Sequence, residues 1–312
     1  MTAPDTSETV TIVGAGIAGA ACARALQDAG RRVRVIERGR APGGRMAAPS
    51  LHGRRVDIGA GYFTVRDDGF AAVVQDWADA GLAREWTDTF AILGPDVAPS
   101  TTSGPMRWTT ADGLRSLVRA LLDGIEVKTA TVIEDVPGGP VVLAMPDPQA
   151  GRLVTVPNSV AYEPVLAVAC GFDQRDWSFG DAAFVLDHPD VDFIADDGAR
   201  RGDGAPVLVA HTTAATARRH LDDPDAGVAA VVAALTALLG VGSPSWTHAH
   251  RWTFAKPAGH HDATFGIAGP QGRRVGLAGD QWCPQGSPRV ESAWRSGTDL
   301  AAAIINATVH LR

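Results

Sequence analysis

The 312-residue sequence predicts an α/β fold, and three observations carry that reading. A β-forming run at 9–13 leads through a glycine-rich turn into a helical stretch and a second strand at 33–36. Short apolar strands recur at 141–144, 165–169, 207–210 and 275–278. A long amphipathic stretch then closes the chain. Strands alternating with helical segments are the pattern of a largely parallel sheet covered by helices.

In chain order, 9–13 (TVTIV) is a continuous apolar, β-branched run, as expected of a strand buried on both faces. The helix that follows spans 17–29 and is closed by Gly30. Leu114, Leu117, Val118, Leu121 and Leu122 repeat at helical spacing after a start signal at Thr109–Asp112. Proline, glycine and aspartate cluster around 187–206, which predicts a surface excursion. The stretch 226–242 is Ala-rich and uncharged, and it reads as a buried helix ending at Gly240. Val290, Ala293, Trp294, Gly297, Leu300, Ala301, Ile304 and Ile305 mark the closing helix.

A hydrophobic fraction of 45% and a charged fraction of 20% exclude a disordered tail, a collagen-like fibre and a coiled coil. The length suits one or two domains. A net charge of −7 with no basic block argues against nucleic acid as a partner. Cys22, Cys170 and Cys283 are scattered, which favours a reducing compartment over a disulfide framework, and no metal site is expected. The apolar stretch 9–27 lacks a basic leader, and 226–242 is too short and Ala-rich for a span. A soluble, cytoplasmic protein without membrane contact is therefore expected.

Gly14-Ala15-Gly16-Ile17-Ala18-Gly19 is G-x-G-x-x-G between a strand and a helix. In that context the first glycine permits a tight turn, the second lets a diphosphate approach the backbone, and the third allows close helix–strand packing. Unpaired N–H groups at the helix start attract the same phosphate. Glu37 ends the second strand, where a carboxylate accepts hydrogen bonds from ribose hydroxyls and repels a 2′-phosphate.

Glu37-Arg38-Gly39-Arg40-Ala41-Pro42-Gly43-Gly44-Arg45-Met46 resembles the second motif of the flavin-containing amine oxidase superfamily. Asp57-Ile58-Gly59-Ala60-Gly61-Tyr62-Phe63-Thr64 is similar to that family's D-x-G-A segment, which passes beside the flavin ring. Gly279-Asp280 resembles its G-D motif. Arg289-Val290-Glu291-Ser292-Ala293 resembles its R-V-E-G-A helix start, with Ser292 in place of the usual glycine. Ala161–Ala167 (AYEPVLA) and Arg251–Pro257 (RWTFAKP) are similar to the renalase-like branch, whose members also have about this length. Between Val132 and Val141 the chain is shorter than its relatives, where strands of a meander are usual.

The resemblance implies a discontinuous Rossmann-like FAD-binding domain (1–66, 106–156 and 266–312). Into it is inserted an α+β substrate domain (67–105 and 157–265) built on a mixed or antiparallel sheet. FAD would be held non-covalently by Gly14, Ala15, Gly16, Ile17, Ala18, Gly19, Glu37, Arg38, Gly44, Arg45 and Met46. Gly59, Ala60, Tyr62, Phe63, Thr64, Val132, Gly279, Asp280, Arg289, Val290 and Glu291 complete the cofactor set. Cys283 is read as an unmodified thiol near the site. Tyr62, Phe63, Trp252, His260 and Trp282 are candidates for the substrate pocket, although core packing is the ordinary fate of a tryptophan. Trp294 is a further candidate for the pocket wall, and the His260–His261 pair could equally be an exposed loop.

The implied reaction is oxidation of 2- or 6-dihydro isomers of NAD(P) by hydride transfer to flavin N5, with O2 as reoxidant and H2O2 as product. Such a small-molecule donor needs no general base, and no catalytic residue is assigned. An amine oxidase is the rival reading. Many such enzymes hold a lysine near the flavin between aromatics; here only Lys128 and Lys256 exist, Lys256 alone being suitably placed, with just two tyrosines. A flavin- or dinucleotide-binding module without turnover is a further alternative.

Overall fold

Val10–Val13 is buried along its whole length because it runs between two parallel neighbours, Val33–Ile36 and Val141–Ala144. The computed structural model describes residues 8–269, 273–286, 289–306 and 309–311. Residues 1–7, 270–272, 287–288, 307–308 and 312, all within the expected cofactor domain, lie outside the described residues. The sheet containing Val10–Val13 has six strands, in the order Gly266–Ala268, Val275–Ala278, Val141–Ala144, Val10–Val13, Val33–Ile36, Val127–Lys128. All neighbours are parallel except the Gly266–Ala268 edge. Val10, Ile12 and Val142 pack beneath the helices Ile17–Asp28, Arg115–Leu121 and Val290–Ile305. Val13, Val141, Leu143 and Leu277 are covered from the opposite side by Ala150, Val154 and Val156.

The second sheet has eight strands, ordered Trp246–Pro257, Tyr162–Gly171, Val207–Thr212, Val191–Asp196, Ala182–Val185, Arg84–Leu93, Ser100–Thr109, Phe63–Thr64. It is mixed: Ala182–Val185 pairs with Arg84–Leu93 in parallel and every other pairing is antiparallel. Alternation along the strands gives this sheet two apolar faces. Val168, Cys170, Ile194, Leu208 and Ala210 pack against Val231, Ala234 and Leu235 of helix Val228–Leu239. Ala167, Ala169, Val207 and Val209 cover Ala47, Val56 and Ile58. The second face therefore lies against the segment carrying the D-I-G-A motif. The fold is α/β, with a Rossmann-like parallel sheet and a mixed second sheet.

Two expectations are corrected. Residues 187–206 are not a surface excursion: they form strand Val191–Asp196 and helix Asp197–Arg201, with Val191, Ile194, Asp196, Asp197 and Arg200 fully buried. The aspartates there meet arginines and backbone N–H groups instead of water, and Gly202 caps the short helix in the left-handed conformation. Sheet membership also departs from the expected boundaries at 66/67 and 105/106, since Phe63–Thr64 pairs with Ser100–Thr109 in the eight-stranded sheet. Gly104 and Pro105 do not end the latter strand. They bulge out between Ser103 and Arg107, which pair with Thr89 and Thr87. Among the described residues, no helix is long and apolar enough to cross a membrane, and no cluster of three metal-ligating side chains occurs.

Candidate functional site

The glycine-rich turn is held by a hydrogen bond from Gly14 N–H to the Ile36 carbonyl (2.8 Å). Gly14 has φ +107°, and a Cβ there would lie 2.3 Å from the Ala144 carbonyl oxygen. A Cβ on Gly19 would lie 1.9 Å from the Gly14 oxygen. At Gly16, by contrast, a Cβ would meet nothing within 4 Å. The outer two glycines are thus demanded by packing, and the middle one opens onto free space at a helix N-terminus that no side chain caps. That is the cradle a diphosphate requires.

Around it stand the other predicted groups. Glu37 accepts hydrogen bonds from Ala15 N–H (2.8 Å) and Gly39 N–H (2.6 Å), which pins the carboxylate at the strand end. Thr131 N–H donates to the Glu37 carbonyl (3.0 Å) and brings Val132, 66% exposed, to the same end. Gly43 N–H donates to Ala15 O (2.8 Å), docking the Gly44–Met46 turn beside the first loop; Met46 is buried and Arg38 exposed. The residues fit a dinucleotide of FAD type.

Arg45 forms a two-pronged ion pair with Asp280 (2.6 and 2.7 Å) and donates to the Ala255 carbonyl (3.0 Å). Burial opposes the Arg45 charge, but the Asp280 carboxylate outweighs it and holds the guanidinium pKa above its usual value. Tyr162 donates from its hydroxyl to Gln281 Oε1 (2.9 Å), and Gln281 Nε2 donates to Asp147 Oδ1 (2.8 Å). His261 Nε2 lies 2.7 Å from Asp147 Oδ2, and its ring stacks on Trp282 at 3.7 Å. Burial, then Asp280, raises the Tyr162 pKa, so its hydroxyl stays protonated as a donor. The histidine pair is divided: His261 joins this buried chain, whereas His260 faces the exposed Asp262 at 3.7 Å.

Ser292, in the glycine position, is 3% exposed, and its hydroxyl accepts from Arg289 N–H (2.8 Å) at the start of helix Val290–Ile305. Glu291 accepts from Arg66 N–H (2.5 Å) and Asp67 N–H (3.0 Å), and Arg289 reaches Thr64 Oγ1 (3.4 Å). The helix start is therefore tied to the end of the 57–64 segment. The other end of that segment is clamped at Asp57, which accepts from Leu114 N–H (2.9 Å) and Arg201 Nη2 (2.8 Å). Arg200 donates to the Gly61 carbonyl (3.0 Å) and pairs with Asp197. Burial opposes the Asp197 charge, but Arg200, Arg201 and Arg54 hold its pKa below the ordinary carboxylate range.

The pocket candidates part company. Tyr62 packs with Trp86, Phe90 and Phe193 on the second sheet, and Gly59–Ala60 precede it. Phe63 points the other way into the core, against Phe70, Trp77 and Trp108. Trp252 donates its indole N–H to the Ile58 carbonyl (2.6 Å) and holds the motif segment. Trp294 packs on Phe70, and Cys283 is buried as a free thiol. Lys256 pairs with Asp192 (2.8 Å).

A family model described as "Flavin containing amine oxidoreductase" matches residues 104–305, and one described as "NAD(P)-binding Rossmann-like domain" matches 12–77. The chain belongs to the flavin-containing amine oxidoreductase family. Phytoene dehydrogenase of Streptomyces griseus is 48% identical over 73 residues, 22% of this chain and 14% of that enzyme's length. Among solved structures, cyclohexylamine oxidase from Brevibacterium oxydans superposes with TM-score 0.74 at 16% identity, covering 96% of this chain and 99% of that one. A putrescine oxidase double mutant superposes with TM-score 0.73 at 16% identity, covering 96% and 100%. At such identities these likenesses speak to the fold. As a member of the family, the chain is an FAD flavoprotein and an oxidoreductase.

Sequence reading missed several residues that this flavoprotein brings to the site. Asp147 and Gln281 had no motif, and the hydrogen-bonded chain they form with His261 exists only because 145–147, 261 and 281 converge. Arg107, Arg200 and Asp197 were hidden in segments rich in turn-forming residues. Strand alternation between Met106 and Trp108 was the one signal for Arg107.

Proposed function

We propose that this oxidoreductase is renalase-like and converts 2- or 6-dihydro isomers of NAD(P) to β-NAD(P)+, with O2 taken to H2O2 and FAD held non-covalently. One observation carries the reading. The two renalase-like segments are hydrogen-bonded neighbours, Tyr162 opposite Pro257 and Glu163 opposite Lys256, and both are tied to the Arg45–Asp280 pair. Tyr162 approaches Asp280 Oδ1 (3.3 Å), and Ala255 supplies the carbonyl that Arg45 grips.

Bound FAD supplies the hydride acceptor. We assign the Gly14–Gly19 loop and Glu37 to its diphosphate and ribose, and Arg45, Asp280 and the 289–291 helix start to the rest of the cofactor. The 57–64 segment faces the second sheet, which would carry the substrate. A dihydronicotinamide already holds a transferable hydride, so the chain's task is to orient the donor and exclude water. Commitment of Lys256 to Asp192 weighs against amine oxidation through that lysine. Buried, scattered cysteines suit a cytoplasmic setting.

The test is anaerobic stopped-flow at the flavin band. Dihydro isomers should bleach the holoenzyme rapidly and leave β-NAD(P)+. Ordinary 4-dihydro NADH should react far more slowly and amines not at all. Fast bleaching by an amine, with no response to either isomer, would replace the reading with amine oxidation.

A further inference from the structure

We infer that Arg107 is an anion-recognition residue, taking a phosphate or carboxylate group of the substrate beside Tyr62. Its side chain is buried, with the residue 5% exposed, yet no hydrogen bond or ion pair engages the guanidinium among the described residues. Nη1 is shut in without a partner. The other deeply buried arginines behave differently: Arg200 and Arg201 are both paired with Asp57 and Asp197. A desolvated cation without a counter-charge is unfavourable, so an unneutralised one marks a place where the neutralising group comes from outside.

The surroundings fit an incoming anion. The guanidinium lies 3.7 Å over the Phe90 ring and 5.5 Å from the Tyr62 ring, which fixes its plane without consuming its donors. Arg107 pairs across the sheet with Thr64, at the end of the 57–64 segment. The 104–106 bulge immediately precedes it, a feature that re-aims side chains next to active sites. Gly104 leaves the approach open: a Cβ there would lie 3.3 Å from Arg107 Nη2 and within 4 Å of nothing but this guanidinium.

The inference rests on the proposed function only for the identity of the anion, which would be the diphosphate of the dinucleotide. Calorimetric titration of the holoenzyme with pyrophosphate, ADP-ribose and benzoate tests it. At least one anion should bind wild type saturably, and Arg107→Met and Gly104→Val should each weaken it tenfold or more. Arg107→Lys should retain part of the affinity, and FAD content should not change. Binding of the phosphates alone identifies a phosphate subsite. Binding of benzoate alone keeps Arg107 as the anion residue but removes the dinucleotide. Equal affinity in Arg107→Met, no anion binding in wild type, or FAD loss from Arg107→Met would each overturn the inference. If dihydro isomers bleach wild type and Arg107→Met with the same concentration dependence, the proposed function stands and the subsite falls. Should Arg107→Met not fold, Gly104→Val decides with Arg107 intact.

Discussion

Gly16→Ala separates the proposed diphosphate cradle from the fold that builds it. Gly16 has φ −77° and ψ 179°, an extended conformation open to alanine, and a Cβ there has no neighbour within 4 Å. Removing a glycine restricts the unfolded chain and stabilises by about 0.4–1 kcal/mol. Replacing a favourable N-cap residue by alanine costs about 0.5–1 kcal/mol. The two offset, so stability should change by no more than about 0.5 kcal/mol, roughly 1–2 °C in Tm for a chain of this size. The new methyl would occupy the space needed for close approach of the diphosphate. Losing two charged hydrogen bonds at about 1.5–3 kcal/mol each weakens FAD binding by about 100-fold or more. Gly19→Ala is the contrast, because its Cβ would sit 1.9 Å from the Gly14 oxygen and force the backbone apart. Reconstitution of apoprotein followed by flavin fluorescence, alongside thermal unfolding, measures both effects. Wild-type FAD affinity in Gly16→Ala would refute the cradle, as would a loss of stability equal to that of Gly19→Ala.

Arg200→Leu should destabilise by about 3–5 kcal/mol, because it leaves Asp197 and Asp57 buried with reduced compensation. Denaturant unfolding checks this, and a change below about 1 kcal/mol would show the clamp on Gly61 to be dispensable. His211 has its pKa lowered from 6.5 to about 3 by burial, with Lys256 and Arg200 adding to the effect. Its folded value lies below its unfolded one, so the stability is complete above pH 6.5 and is lost as pH falls towards about 3. Between pH 7 and pH 5 that amounts to about 1–2 kcal/mol after allowance for the partly exposed ring. His211→Gln should flatten the loss, and an unchanged pH profile would contradict the assignment.

Local periodicity made the central sheet legible. Val33–Ile36, Val141–Ala144, Val275–Ala278 and the helix Val290–Ile305 sit where apolar runs and helical spacing place them. These elements are buried on one or both faces, so hydrophobicity alone marks them. The segment 187–206 was misread because its aspartates carry a polar signal that only a tertiary partner cancels. Asp197 is satisfied by Arg54, Arg200 and Arg201, and no local rule pairs it with Arg54. The glycine-rich loop was readable because glycine spacing answers to backbone geometry within a few residues. The Tyr162–Gln281–Asp147–His261 chain was not, because each member is supplied by a different element.

That chain joins the two sheets beside the Arg45–Asp280 pair. Tyr162 belongs to the eight-stranded sheet, and Asp280 follows the last parallel strand of the other sheet. Arg45, between them, grips Asp280 on one side and the Ala255 carbonyl on the other. A group that neutralised or displaced either partner would therefore be felt by both sheets. The sheets also share the 57–64 segment, which Arg200 and Arg201 hold from one side and Glu291 and Arg289 from the other. Tyr62 is the residue of that segment that turns toward the second sheet, and Arg107 is the cation stacked beside it. The proposed anion residue Arg107 and the proposed diphosphate glycine Gly16 sit on separate elements, the strand Ser100–Thr109 and the start of helix Ile17–Asp28. With no partner in common, changes at the two should combine nearly additively.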